Sequence, residues 1–237
     1  MNRLSQSLRS GKLQLFVSLP ANDAKLAEAA VREGADGLKV HLNVAHRASG
    51  NSFGPLDSYR ETFAAIRSLF QGPLGVVPGG SAADVSREEI AALPEAGFDF
   101  YSIYAWHLPT FMLKAQGLAR TFAIDDKFDL RLLEAAGAFG IDALEASVVP
   151  GTEYGSPLTL ADLLKYRWLA ENSGLPVIVP TQRKVVPEDI PHLIDCGVKA
   201  LLVGAVSIGA TEESIARAVS SFREAIDKAG GEGSHEC

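Results

Sequence analysis

A closed barrel of eight parallel strands with helices around it, the (β/α)8 architecture, is the fold class this chain predicts. Two observations carry that reading. A helix-like segment, a glycine and a short apolar run recur along the chain: REGADGLKV at Gly34, FQGPLGVV at Gly72, EAGFDFYSI at Gly97, AQGLARTFAI at Gly117, AFGIDALEAS at Gly140, NSGLPVIV at Gly174 and DCGVKALLV at Gly197. Glycine just past a helix supplies the left-handed turn that ends it, and the apolar run reads as a buried parallel strand. The second observation is length: eight such units in 237 residues approach the roughly 250 of a closed barrel. An open doubly wound sheet is the rival arrangement.

Taken in order, the opening segment MNRLSQSLRSGKLQLFVSLP has basic residues but only a short apolar run, which flows into a first strand over Leu13 to Ser18; it reads as strand and not as a signal peptide. The intervening helices show period 3.6. Tyr59, Phe63, Ile66 and Phe70 make one stripe, Leu160, Leu163, Leu164 and Trp168 a second, and Ile215, Ala218, Val219, Phe222 and Ile226 a third. Each is read as the face a helix turns to the sheet. Ser58 with Glu61 and Ser86 with Glu89 fit capping boxes, and Pro187 fits a first helical position. The segment Pro109 to Ala115 predicts only a short helix. The whole is one domain over residues 1–229, and the Gly- and Glu-rich residues 230–237 read as a disordered tail.

Composition narrows the function. Hydrophobic residues make up 47% of the chain, enough for one substantial core, and the net charge is −7. A chain of that charge gains nothing from global attraction to phosphates, so no nucleic-acid partner is expected. No apolar run reaches the length of a membrane span. The two cysteines, Cys196 and Cys237, form neither a disulfide framework nor a metal spacing, and a cytoplasmic location is expected. P-loop, GxGxxG, GxSxG, HExxH and paired CxxC motifs are all missing from the sequence, so kinase, dinucleotide dehydrogenase, serine hydrolase and zinc-protease readings lose their support; no cofactor and no metal is the expectation, with a divalent ion gathered by His41, Asp125 and Glu145 as the alternative.

In a barrel, function lies at the carboxyl ends of the strands, and strand parity sorts inward from outward side chains. In GLKVHLN the apolar Leu38, Val40 and Leu42 belong against the helices, which turns Lys39, His41 and Asn43 toward the axis. In IDALEASVV the same logic turns Glu145 and Ser147 inward, and in ARTFAIDD it turns Thr121 and Asp125 inward. Lys39 and Glu145 come from opposite sides of the lumen. A buried lysine and glutamate are uncommon unless paired, and burial and pairing push such a pair in opposite directions. They are the candidate catalytic pair, with His41 one inward position nearer the mouth as an acid or base for neutral pH. The long loop NVAHRASGNSFGP after that strand, with His46, Arg47, Gly50 and Gly54, has the character of a segment that closes over a substrate.

The string PVIVPTQRKVVPEDIPHLIDCGVKALLVGAVSIG resembles the closing quarter of phosphate-binding TIM barrels, the ribulose-phosphate-binding superfamily, at the level of fold. The resemblance implies a phosphate cradle of backbone amides at Gly204 and Ala205, followed by Ser207. Its strand seven departs from the pattern, with Thr181, Gln182, Arg183 and Lys184 where glycine is usual, so Arg183 and Lys184 are the expected anion holders. Asn43 and Asp125 complete the expected binding set. The function expected is that of a lyase or isomerase acting on a small anionic carbonyl metabolite, phosphorylated or carboxylated, by proton transfer. The alternatives are a Schiff-base aldolase using Lys39 and a non-enzymatic ligand- or partner-binding barrel; whether the chain is a homo-oligomer stays open.

Overall fold

The computed structural model describes residues 2–232. Eight strands, β1 (Gln14–Ser18), β2 (Gly37–His41), β3 (Leu74–Val77), β4 (Phe100–Tyr104), β5 (Ala119–Ile124), β6 (Ala143–Ala146), β7 (Val177–Pro180) and β8 (Ala200–Val203), pair in parallel in chain order, and β8 returns to β1 to close the barrel. The turn glycines fit their expected role at, for example, Gly34 (φ 96°) and Gly197 (φ 77°). Gly72 differs: its φ is not positive, and what it provides is room, since a Cβ there would sit 2.8 Å from the Asp36 carbonyl oxygen.

The outer layer comprises α2 (Ala24–Arg32), α3 (Arg60–Leu69), α4 (Arg87–Ala92), α5 (Leu160–Asn172), α6 (Ile190–Asp195), α7 (Ala205–Ile208) and α8 (Glu212–Glu232). Short 3₁₀ turns replace helices after β4 (Ala105–His107, Thr110–Lys114) and after β5 (Leu130–Phe139). A further helix, α1 (Arg3–Leu8), which the sequence reading did not anticipate, precedes the barrel. Asn2 caps it by accepting from the Ser5 amide at 2.7 Å, and its Leu4 and Leu8 seal the amino-terminal end of the lumen against Phe16, Phe100, Ile178 and Leu202. The lumen is therefore apolar below and open above.

Two expectations about helices change. The stripes on α3 and α8 are buried as expected, with Phe63, Ile66, Ile215 and Val219 all inaccessible. On α5, however, the inward residues are Tyr166, Leu169 and Asp162, while Leu160, Leu164 and Trp168 are exposed. This helix carries large apolar side chains on both faces, interspersed with Lys165, Arg167 and Glu171, so periodicity alone could not choose between them. Ser86 caps α4 by accepting from the Glu89 amide, but the Glu89 carboxylate accepts from the Leu56 amide and from the Asn43 side chain, each at 2.7 Å, and does not close a box. Ser58 and Glu61 form no cap; α3 continues a 3₁₀ turn from Leu56–Tyr59. Helix α8 runs on through Glu232, past the expected start of the tail at Gly230, and residues 233–237 lie outside those described.

Candidate functional site

Inward side chains stack in layers up the lumen. Above the floor formed by Phe16, Phe100, Ile178 and Leu202, the next inward positions are Ser18 on β1, Lys39 on β2, Ser102 on β4 and Glu145 on β6. Above them come His41, Tyr104, Ser147 and Gly204. The result is a cavity of about 510 Å³ at the carboxyl end of the barrel, into which Lys39, His41, Ser102 and Glu145 all face.

Lys39 and Glu145 meet across the lumen. The Lys39 Nζ donates to Glu145 Oε1 at 2.8 Å and to Oε2 at 2.9 Å, and Ser102 Oγ donates to Oε2 at 2.7 Å. Both side chains are less than a tenth exposed. An apolar pair of the same volume would serve stability as well or better, because desolvation consumes most of the Coulomb gain. Chemically, the arrangement sets an ammonium donor and a carboxylate acceptor side by side on the cavity wall.

One side of the mouth is built from imidazoles. The loop after β2 forms a two-stranded antiparallel hairpin, Val44–Ala45 with Ser52–Phe53. It lays His46 against His41, ring centroids 4.2 Å apart, and stacks Phe53 on His41 at 4.9 Å. His41 is fully buried, and its Nδ1 has no partner. Burial, followed by the fields of His46 and Lys39, holds its pKa well below the usual imidazole value. Burial and Lys39 push His46 down to about 4, with Glu145 opposing. Both shifts favour the neutral imidazole, which sets His41 beside the ion pair as a hydrogen-bonding group.

The facing wall carries phenols. Tyr104 bonds with Ser147 and with Tyr154, whose hydroxyl accepts from Gln182 Nε2 at 2.6 Å. Burial, with Tyr154 and Glu145 nearby, raises the pKa of Tyr104. Asp125 lines the same cavity, as do Arg47 from the hairpin tip and Trp106. Among the described residues, no three histidines, cysteines or carboxylates converge as a metal site would require.

The fold is that of a TIM barrel. No family model and no curated protein matches the chain. Solved structures do: a protein from Aquifex aeolicus VF5 at TM-score 0.73 and 13% identity, with 95% of this chain and 99% of that one covered; the tryptophan synthase A-subunit from Pyrococcus furiosus at 0.68 and 16%, covering 90% and 98%; and the thiamine phosphate pyrophosphorylase from the same organism at 0.65 and 16%, covering 92% and 98%. At such identities the likeness establishes architecture, and the expected fold-level resemblance is met.

The expected binding residues divide. Gly204 and Ala205 line the cavity together with Val206, but the Gly204 amide already donates to Thr181 Oγ1 at 3.0 Å, which leaves the first-turn amides of Ala205 and Val206 as the backbone donors there without a helical partner. Ser207 lies behind them with its Oγ buried and unpartnered. Arg183 does not reach the cavity. Its neighbour Gln182 takes the inward position, and Arg183 turns outward to pair with Glu153 at 2.6 Å and Asp162 at 3.0 Å. Lys184 is exposed, with its amide bonded to Ser156, and also lies away from the cavity. Asn43 leaves the strand at φ 48° and bonds Glu89, so it braces the loop and does not face a ligand. The sequence reading missed Ser102 and Tyr104, although parity in FDFYSIY would have turned both inward with Phe100. It also missed Ser18, Tyr154 and Gln182.

Proposed function

We propose that this chain is an enzyme, a lyase or isomerase that moves a proton next to the carbonyl of a small anionic metabolite. The Lys39–Glu145–Ser102 cluster on the cavity wall is the observation that carries the reading. In this mechanism the substrate carbonyl oxygen takes the Lys39 ammonium as its hydrogen-bond donor, and Glu145, released from that donor, removes the proton from the adjacent carbon. Charge developing on the oxygen falls where a fixed cation already stands, which is the most effective form of electrostatic catalysis. Neutral His41 and the Tyr104–Tyr154 pair line the rest of the cavity and orient the substrate's polar groups.

The anionic end of the substrate sits between the Ala205 and Val206 amides and Arg47, a guanidinium that lines the cavity where Arg183 does not. Backbone N–H groups left free at a turn attract negative charge, and a guanidinium supplies forked hydrogen bonds. Neighbouring folds whose names carry phosphorylated compounds support a phosphate as that group.

Solvent exchange tests the proposal across a whole class of compounds at once. Phosphorylated and carboxylated aldehydes and ketones are incubated with the protein in D₂O, and loss of the proton signal beside the carbonyl is followed by NMR. The wild type should catalyse exchange on at least one compound, and Lys39→Met and Glu145→Gln should each slow it by about 10²-fold or more. Borohydride treatment during turnover separates the Schiff-base alternative, which would leave a covalent adduct on Lys39. Tight binding without exchange or turnover on any compound would sink the enzyme reading in favour of a binding barrel.

A further inference from the structure

We infer that the outer face of α5, with the 3₁₀ segment before β6, is the interface on which two copies of this chain associate. Among the described residues, eight large apolar side chains are exposed, and five of them lie on these two elements that flank β6: Leu132 (54%), Phe139 (56%), Leu160 (70%), Leu164 (63%) and Trp168 (40%). Elsewhere around the barrel the outer faces are polar, as on α2, where Lys25 and Glu28 face solvent while Leu26, Ala27, Ala29 and Ala30 are buried.

The α5 pattern has a physical reading. Large apolar side chains belong against a partner, yet the barrel covers only the Tyr166–Leu169 face and leaves Leu160, Leu164 and Trp168 outside, beside the Arg167–Glu171 pair. Summed over the two neighbouring elements, these five side chains expose on the order of 500 Å² of apolar surface. A dimer of standard size takes about 800 Å² from each partner, an area these two elements would supply from the apolar side chains together with the polar residues between them.

The occupant argued for is a second copy of this chain. Leu160, Leu164 and Trp168 are spaced four residues apart along one stripe. A twofold axis at Leu164 runs the helix antiparallel to its copy and sets Trp168 of each against Leu160 of the other, so the stripe complements itself. The rim charges are already neutralised within the chain, Arg167 with Glu171 and Arg131 with Asp129. A membrane-binding face would instead carry an excess of lysine and arginine, and the chain as a whole is at −7.

Sedimentation velocity on the full chain in the micromolar range is the test. The wild type should sediment as a dimer. Leu164→Glu should be monomeric with an unchanged circular dichroism spectrum, while Leu69→Glu, on α3, should remain dimeric. If Leu164→Glu fails to fold, Leu160→Lys at the most exposed position replaces it with the same expectation. Leu164→Cys should cross-link to its copy on oxidation. A monomeric wild type overturns the inference, and so does a dimer that survives both charge substitutions or a wild type that floats with anionic vesicles as a monomer.

Discussion

The Lys39–Glu145 pair invites a double-mutant cycle, because a merely structural pair and a reacting pair give different outcomes. Lys39→Met removes two of the three hydrogen bonds to the Glu145 carboxylate and leaves only that from Ser102. A carboxylate less than a tenth exposed is then uncompensated, which costs about 3–5 kcal/mol. Glu145→Gln leaves the ammonium facing an amide oxygen, a loss nearer about 1.5–3 kcal/mol. The double variant carries neither charge, keeps both volumes and retains an acceptor for Ser102, so it should cost about 1 kcal/mol or less. Urea unfolding of the four proteins should therefore give a coupling of about 3 kcal/mol or more, measurable against a domain stability of about 5–15 kcal/mol. The same stable double variant should fail to catalyse solvent exchange. Additive costs would refute the energetic argument, and wild-type exchange in the folded double variant would refute the catalytic one.

Three more outcomes are expected. His46 falls from 6.5 to about 4 on folding, so the unfolded chain takes up a proton that the folded one refuses; stability is complete above about pH 7 and declines as pH drops from 6.5 toward 4. At a partly open mouth this amounts to about 1–2 kcal/mol. Melting temperature against pH should be flatter by that amount in His46→Gln, and parallel curves would count against the assignment. Gly37→Ala drives a Cβ to 2.6–2.8 Å from the Phe16 ring and should cost about 1–3 kcal/mol in thermal unfolding without changing ligand binding. Titration with inorganic phosphate should weaken in Arg47→Ala and stay unchanged in Arg183→Met, which should instead lose stability because Asp162 is left buried and unpaired.

What the sequence disclosed, and what it withheld, follows from the range of each physical rule. Strand parity is strict, so one apolar set on β2 and another on β6 were enough to aim Lys39 and Glu145 at the axis, and barrel closure then set them face to face. The same rule applied to β4 would have added Ser102 and Tyr104. Parity ends with the strand. Asn43 lies two residues past β2 at φ 48°, and nothing local in the sequence announces its bond to Glu89, 46 positions away. Arg183 fails for a related reason: its partners Glu153 and Asp162 lie 21 or more positions upstream on another loop and helix, and only the assembled barrel brings their charges together. Helix periodicity has a different limit. It reports that an apolar stripe exists and not which surface covers it, and on α5 two stripes compete. The barrel takes the one with Tyr166 and Leu169, whose aromatic ring and branched chain fill the space over β7. The stripe with Trp168 is left facing outward, and a stripe that recurs so regularly without covering its own core is best understood as patterned for a surface that one copy of the chain does not contain.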